Sequence, residues 1–219
     1  MFAFWILYTD AIMHVYFIRT GESEDDLSER YQRQESPLSE EGEIQRELLA
    51  RHLVHIRFDA ILSSPLLRAK QTVEILTPSV QDVVYDPLLT EIKQPSELVG
   101  ERIDDPAFST TRYMLETKWS YPAWHYSDEE NFSDVKKRAL RVLKSLSKRD
   151  EEHILIVSHG HFLTMLFLMM TFGKILTVEE YRRFDTFAQM THAGVTECEL
   201  VKGVWKMRVW NDTSHLTIA

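Results

Sequence analysis

Residues 13 to 23, MHVYFIRTGES, constrain this chain more than any other segment. Val15 to Ile18 form a β-type apolar run that opens directly onto Arg19, Thr20, Gly21 and Glu22. Buried in a sheet, such a strand delivers a cation to the sheet edge, and the glycine lets backbone approach a ligand closely. Other strands of the same sheet should then also end in residues that carry chemistry.

Further strands are expected at Ala60–Ser63, Val83–Tyr85 and Ile154–Val157, alternating with helical patterns. That alternation predicts an α/β fold, a mostly parallel sheet flanked by helices on both faces. One helix should start at Ser39, an N-cap followed by Glu40 and Glu41, and bury Ile44, Leu48, Leu49, Leu53 and Ile56. A second should start at Ser64-Pro65, with Ser64 as its cap and Pro65 in the first helical position. A third should run from about Ser133 to Ser147, burying Val135, Ala139, Val142, Leu143 and Leu146. A fourth follows His159-Gly160 to about Phe172, too short for a bilayer and suited to a buried core. The chain should close with a hairpin, Val195–Val201 and Trp205–Trp210, turning at Lys202-Gly203.

With 219 residues, 44% of them hydrophobic, the chain suits one domain, here taken as 13–219. Its net charge of -9 argues against nucleic acid or an anionic membrane as partner, but not against a small phosphate met by local positive charge. A single cysteine, Cys198, and no metal-ligand spacing point to a reducing cytoplasm, with no metal or other cofactor. Residues 1–12 are apolar yet carry Asp10 and no basic residue, so they read as a leader outside the core, with a membrane or partner anchor as the alternative. Residues from about 92 to 132 form a polar, aromatic-rich insertion holding Tyr113, Trp119, Tyr121, Trp124, His125 and Tyr126. A segment of that length is either a lid over a site or a helical subdomain packed for its own sake.

Four polar segments fall at or just beyond strand ends: Arg19-Thr20-Gly21-Glu22, Ser63 to Arg68, Leu89-Thr90-Glu91, and Ser158-His159-Gly160-His161. Alone, each arginine is a surface or ion-pairing residue, His159 a satisfied core histidine and Glu91 a solvated carboxylate. Together, two guanidinium groups, an imidazole and a carboxylate make a phosphate binder with a proton donor beside it. His161 reads as structural, and His14, His52, His55 and His153 as ordinary surface or strand-end residues.

These segments, in this order, resemble the motifs of the histidine phosphatase superfamily (phosphoglycerate mutase-like). The likeness extends to PLSEEG at 37–42, GVTECEL and WNDTSHL, and so covers about Met13 to Leu216. It implies that Arg19, Arg68 and His159 bind phosphate, that Glu91 is the general acid, and that no metal takes part. The family's Arg-His-Gly motif, however, reads Arg19-Thr20-Gly21 here, and the histidine replaced by Thr20 is the family's nucleophile. A threonine hydroxyl is a poor nucleophile without a base, and it sits further back than an imidazole would.

Three functions follow. One is a metal-independent phosphomonoester hydrolase acting on a small phosphorylated molecule, its turnover weakened or lost, with water or another histidine in place of the nucleophile. The second is an inactive phosphate-binding or regulatory pseudophosphatase. The third is a phosphoglycerate mutase-type phosphotransferase; the insertion does not resemble that enzyme's substrate segment, and the chain is expected to be shorter than typical members. Docking of a protein partner on the acidic surface or the insertion is a further, non-catalytic role. The oligomeric state is not encoded in any feature of the sequence.

Overall fold

A computed structural model describes residues 12–76 and 82–217. Its centre is a six-stranded sheet in the order β3-β2-β4-β1-β5-β6. The strands are β1 (Met13–Arg19), β2 (Ala60–Ser63), β3 (Val84–Tyr85), β4 (His153–Ser158), β5 (Val195–Val201) and β6 (Val204–Asp212). The pairs β1/β4, β2/β4 and β2/β3 are parallel, whereas β5 and β6 run antiparallel at one edge. The expected strands and hairpin are therefore present, within a residue or two at their ends.

Helices α2 (Glu40–Leu53) and α3 (Leu67–Glu74) bring apolar residues to one face of the sheet, where Leu49, Leu53, Ala69 and Val73 pack on Ile18, Leu155 and Val157. Helices α5 (Phe132–Leu146) and α6 (Gly160–Phe172) bury the other face, packing Val135, Val142, Leu163 and Phe167 on Val15, Phe17 and Ile156. Each fully buried aliphatic side chain contributes ~2 kcal/mol, so the central strands β1 and β4, covered on both sides, anchor the fold. Cys198 of β5 is buried in this second core, and its thiol is pushed up to about 12, chiefly by burial.

Local signals explain most helix ends. Ser39 accepts from the Gly42 amide at 3.0 Å, as an N-cap should. Helix α5 begins with a capping box between Asn131 and Asp134, one residue before the expected start. Two expectations need correction. Ile44 points to solvent, 49% exposed, because Gln45 takes the inward position on α2, and Ile56 lies beyond the end of that helix. Ser64 does not cap α3, whose N-cap is Leu66, so Pro65 precedes the helix instead of opening it.

Residues 92–132 contain a short helix, α4 (Ser109–Lys118). Trp119 packs edge-on against Phe132 and Tyr181 at 5.3 and 5.2 Å and donates to the Glu130 carbonyl, tying the insertion to the main core. Tyr113 and Tyr121 remain mostly exposed. Helix α7 (Val178–Phe187) was not expected from the sequence, although Thr177 and Glu180 form a capping box at its start. A four-residue helix, α1 (Glu24–Leu27), follows β1. The described residues contain no helix long and apolar enough to cross a membrane. The expected leader lies outside the described residues, apart from exposed Ile12.

Candidate active site

The parallel register brings the chemistry-bearing segments to one edge. Arg19, the last residue of β1, pairs with Ser158, the last of β4, and Ser63 of β2 pairs with Val157. Just beyond, the Thr20 amide donates to the Ser158 carbonyl at 3.0 Å. The Gly21 amide donates to Thr72 Oγ1 at 3.1 Å, and that hydroxyl donates to the Arg68 carbonyl at 2.7 Å. A side chain on Gly42 would bring its Cβ within 2.1 Å of the Glu22 carbonyl oxygen, so the PLSEEG turn packs directly on the strand-end motif. The expected residues Arg19, Thr20, Arg68, Glu91 and His159 are thus gathered in one place.

Three of them form a floor that water barely reaches: Thr20, Arg68 and His159 are each 2–3% exposed. His159 Nε2 lies 2.8 Å from Ser64 Oγ, which also accepts from the Leu66 amide at 3.3 Å. Ser64 therefore orients the imidazole. His159 Nδ1 is buried with no hydrogen-bond partner among the described residues, so it is an atom that a ligand oxygen can complete. Burial, reinforced by Arg68 and Arg19, pushes His159 well below its usual pKa, and it is neutral near pH 7. The tautomer in which Ser64 donates to Nε2 leaves Nδ1–H as a donor toward an anion. Arg68 gives one N–H to the Arg33 carbonyl at 3.2 Å. Burial lowers both guanidinium pKa values, but such groups remain charged.

The rim is more open. Arg19 crosses Gly160, where a Cβ would lie 3.2 Å from Nε and 3.3 Å from Cζ. Its end donates to the Met190 carbonyl and lies 2.9 Å from His192 Nε2. Glu91 sits at the N-terminus of α6, with Oε1 accepting from Ile92 and Phe162 amides at 2.9 Å and Oε2 from His161 at 3.2 Å. The carboxylate thus supplies the cap that His159 does not give with its side chain. Arg138 of α5 fixes this loop, donating to the carbonyls of Leu88, Thr90 and Glu91 at 2.9, 2.7 and 3.3 Å while held by Glu130. His161, expected to be structural, pairs with Asp185 of α7 at 3.1 Å. That bond raises its pKa to about 9. With 59% of the side chain exposed, water screens the attraction, and the useful consequence is a cation at the rim at neutral pH.

Three residues escaped the sequence reading. Arg138 had a signal, an arginine within the apolar stripe of a helix, since Val135 and Val142 flank it at helical spacing. Asp185 needed α7, whose capping box was legible. His192 had only its position two residues before the glycine of GVTECEL. The histidine and carboxylate group of His14, Glu197 and Glu199, dense enough for a cation, lies at the opposite end of β1. Arg208 already occupies Glu199 there at 2.5 Å.

The sequence model of the histidine phosphatase superfamily (branch 1) matches residues 15–213. The chain belongs to this superfamily. Among its members, the "Uncharacterized phosphatase PhoE" of Bacillus subtilis is 23% identical over 205 residues, covering 93% of this chain and 96% of that protein. The "Probable phosphoglycerate mutase GpmB" of Proteus mirabilis is 26% identical over 218 residues, covering 94% and 96%. The solved structure of YhfR from Bacillus stearothermophilus superposes with a TM-score of 0.81 at 27% identity, covering 94% of this chain and 100% of YhfR. Length therefore does not set the chain apart from mutase-named relatives, contrary to expectation, since it spans phosphatase- and mutase-named members of the superfamily almost equally.

Proposed function

We propose that this superfamily member hydrolyses the phosphomonoester of a small phosphorylated molecule, with Arg19, Arg68 and His159 binding the phosphoryl group and Glu91 protonating the leaving oxygen. The observation that carries this reading is the gathering of both guanidinium groups, a neutral buried imidazole and a carboxylate at one sheet edge. Arginine matches phosphate oxygens in charge and geometry, and oriented charge stabilises phosphoryl transfer with no metal in the scheme. Glu91 Oε2, with one long amide contact at 3.2 Å, is the freer oxygen for proton transfer. The segment 92–132 is the cap, tied to the core through Trp119.

A second reading is favoured by one specific observation, Thr20 at the nucleophile position: a pseudophosphatase that binds phosphate without turnover. Phosphate release from an aryl phosphate, phosphoserine and 3-phosphoglycerate separates them, with the Thr20→His variant alongside. The expected result is measurable release by the unmodified protein and faster release by the variant. Inactivity of both on every substrate overturns the hydrolase reading. Conversion of 3-phosphoglycerate to its isomer without phosphate release would mark a phosphotransferase instead.

A further inference from the structure

We infer that Arg138 is a positioning residue for proton transfer, its guanidinium fixing the loop from which Glu91 meets the leaving oxygen; this rests on the hydrolase reading above. Glu91 follows a single turn, Pro87–Leu89, and lies in no helix or strand, so side chains must satisfy its backbone. Four consecutive carbonyls are met in this way. Those of Leu88, Thr90 and Glu91 accept from Arg138 at 2.9, 2.7 and 3.3 Å, and that of Leu89 accepts from Ser158 Oγ at 2.7 Å.

The guanidinium has no donor left for a phosphate. Nε and Nη2 donate to the two Glu130 oxygens at 2.7 and 2.6 Å, Nη1 serves Leu88 and Thr90, and the second Nη2 hydrogen goes to Glu91. All five N–H groups are therefore engaged, a pattern that the three donors of a lysine do not reproduce. Arg138 is buried, and its Cζ lies 3.9 Å from the centre of the Phe162 ring. Phe162 in turn gives its amide to Glu91 Oε1 at 2.9 Å. One cation thus holds the acid by its main chain and packs on the residue that receives its carboxylate.

The insertion closes on the same point. The Glu130 amide donates to the Lys93 carbonyl at 3.1 Å, and the Lys93 amide donates to Glu130 Oε2 at 3.1 Å. The Trp119 indole adds a bond to the Glu130 carbonyl at 3.0 Å. Both ends of segment 92–132 therefore meet beside Glu91, and Glu130 supplies the charge that faces Arg138. Strand β3, only two residues long and exposed, gives this loop little support of its own.

The consequence falls on one part of the reaction. Proton donation matters most when the departing oxygen is basic, whereas Arg19, Arg68 and His159 act on the phosphoryl group whatever leaves. Misplacing an acid by ~1 Å lowers the rate on the order of 10²-fold where the leaving oxygen needs its proton. A leaving group that departs as a stable anion escapes most of that loss.

The test compares kcat/KM on phenyl phosphate, a poor leaving group, with that on para-nitrophenyl phosphate, a good one. Arg138→Lys is made in the unmodified protein and in Thr20→His. The expected result is a fall of ~10²-fold on phenyl phosphate and of no more than ~10-fold on the nitrophenyl ester. Ser158→Ala, which frees the Leu89 carbonyl without altering charge, should shift the ratio in the same direction on a smaller scale. An unchanged ratio in Arg138→Lys, or in Ser158→Ala where the lysine variant does not fold, overturns the inference and leaves the hydrolase reading standing. Turnover of neither ester by the unmodified protein or by Thr20→His overturns both.

Discussion

The floor and the rim of the site use the same residue types under different conditions. On the floor, Arg68 and His159 are almost wholly enclosed, and each is held by a partner that cannot move far, the Arg33 carbonyl or Ser64. At the rim, Arg19, His161, His192 and Glu91 are partly open, and their partners are loops, a helix terminus and a carboxylate of α7. Burial makes a histidine neutral on the floor, whereas a carboxylate keeps one charged at the rim. Enclosure therefore fixes the charge state of the floor, and exposure leaves the rim groups within reach of solvent.

Changes that cross this division test it, beginning on the floor. Arg68→Ala should lower kcat/KM by ~10³-fold or more, because a buried cation facing phosphoryl charge has no substitute; phosphate-release kinetics measure this. Gly160→Ala should cost ~10-fold to ~10²-fold by displacing the Arg19 guanidinium, while Tm stays nearly unchanged at a helix start that tolerates alanine. Equal losses of stability and activity in that variant would mean that Arg19 is a structural and not a rim element. Ser64→Ala should destabilise the protein by ~1–3 kcal/mol in urea unfolding, since both nitrogens of a buried imidazole then lack a protein partner.

His161→Gln is the smaller, rim-side test. The unfolded histidine titrates near ~6.5 and the folded one near about 9, so the charged pair with Asp185 contributes its full stability below ~6.5 and loses it as pH rises through about 9. The Tm difference between wild type and variant should be largest near pH ~6 and vanish above ~9.5. At the far end of β1, Glu197→Gln should change stability by less than ~1 kcal/mol, as expected for a partly exposed pair with His14.

Most of the floor was legible in the sequence because strand ends write their chemistry consecutively: Thr20 just past one apolar run, His159 just past another, Arg68 four residues past Ser64. The rim was less legible, since its contacts join residues far apart in the chain. His192 meets Arg19 across a register that only the antiparallel β5 establishes, and Asp185 reaches His161 through a helix the sequence reading did not expect. Ser64 was misassigned for a local reason: a serine before a proline resembles a helix cap, while its tertiary partner lies 95 residues away.

The buried thiol of Cys198 has a practical consequence. Enclosed among apolar neighbours and protonated across the working range of maleimide chemistry, it leaves the described surface without a competing sulfhydryl. A cysteine introduced at exposed Tyr113 on the insertion would accept a fluorophore selectively, so a change around this segment on adding phosphate can be sought optically without first stripping the protein of its native sulfur.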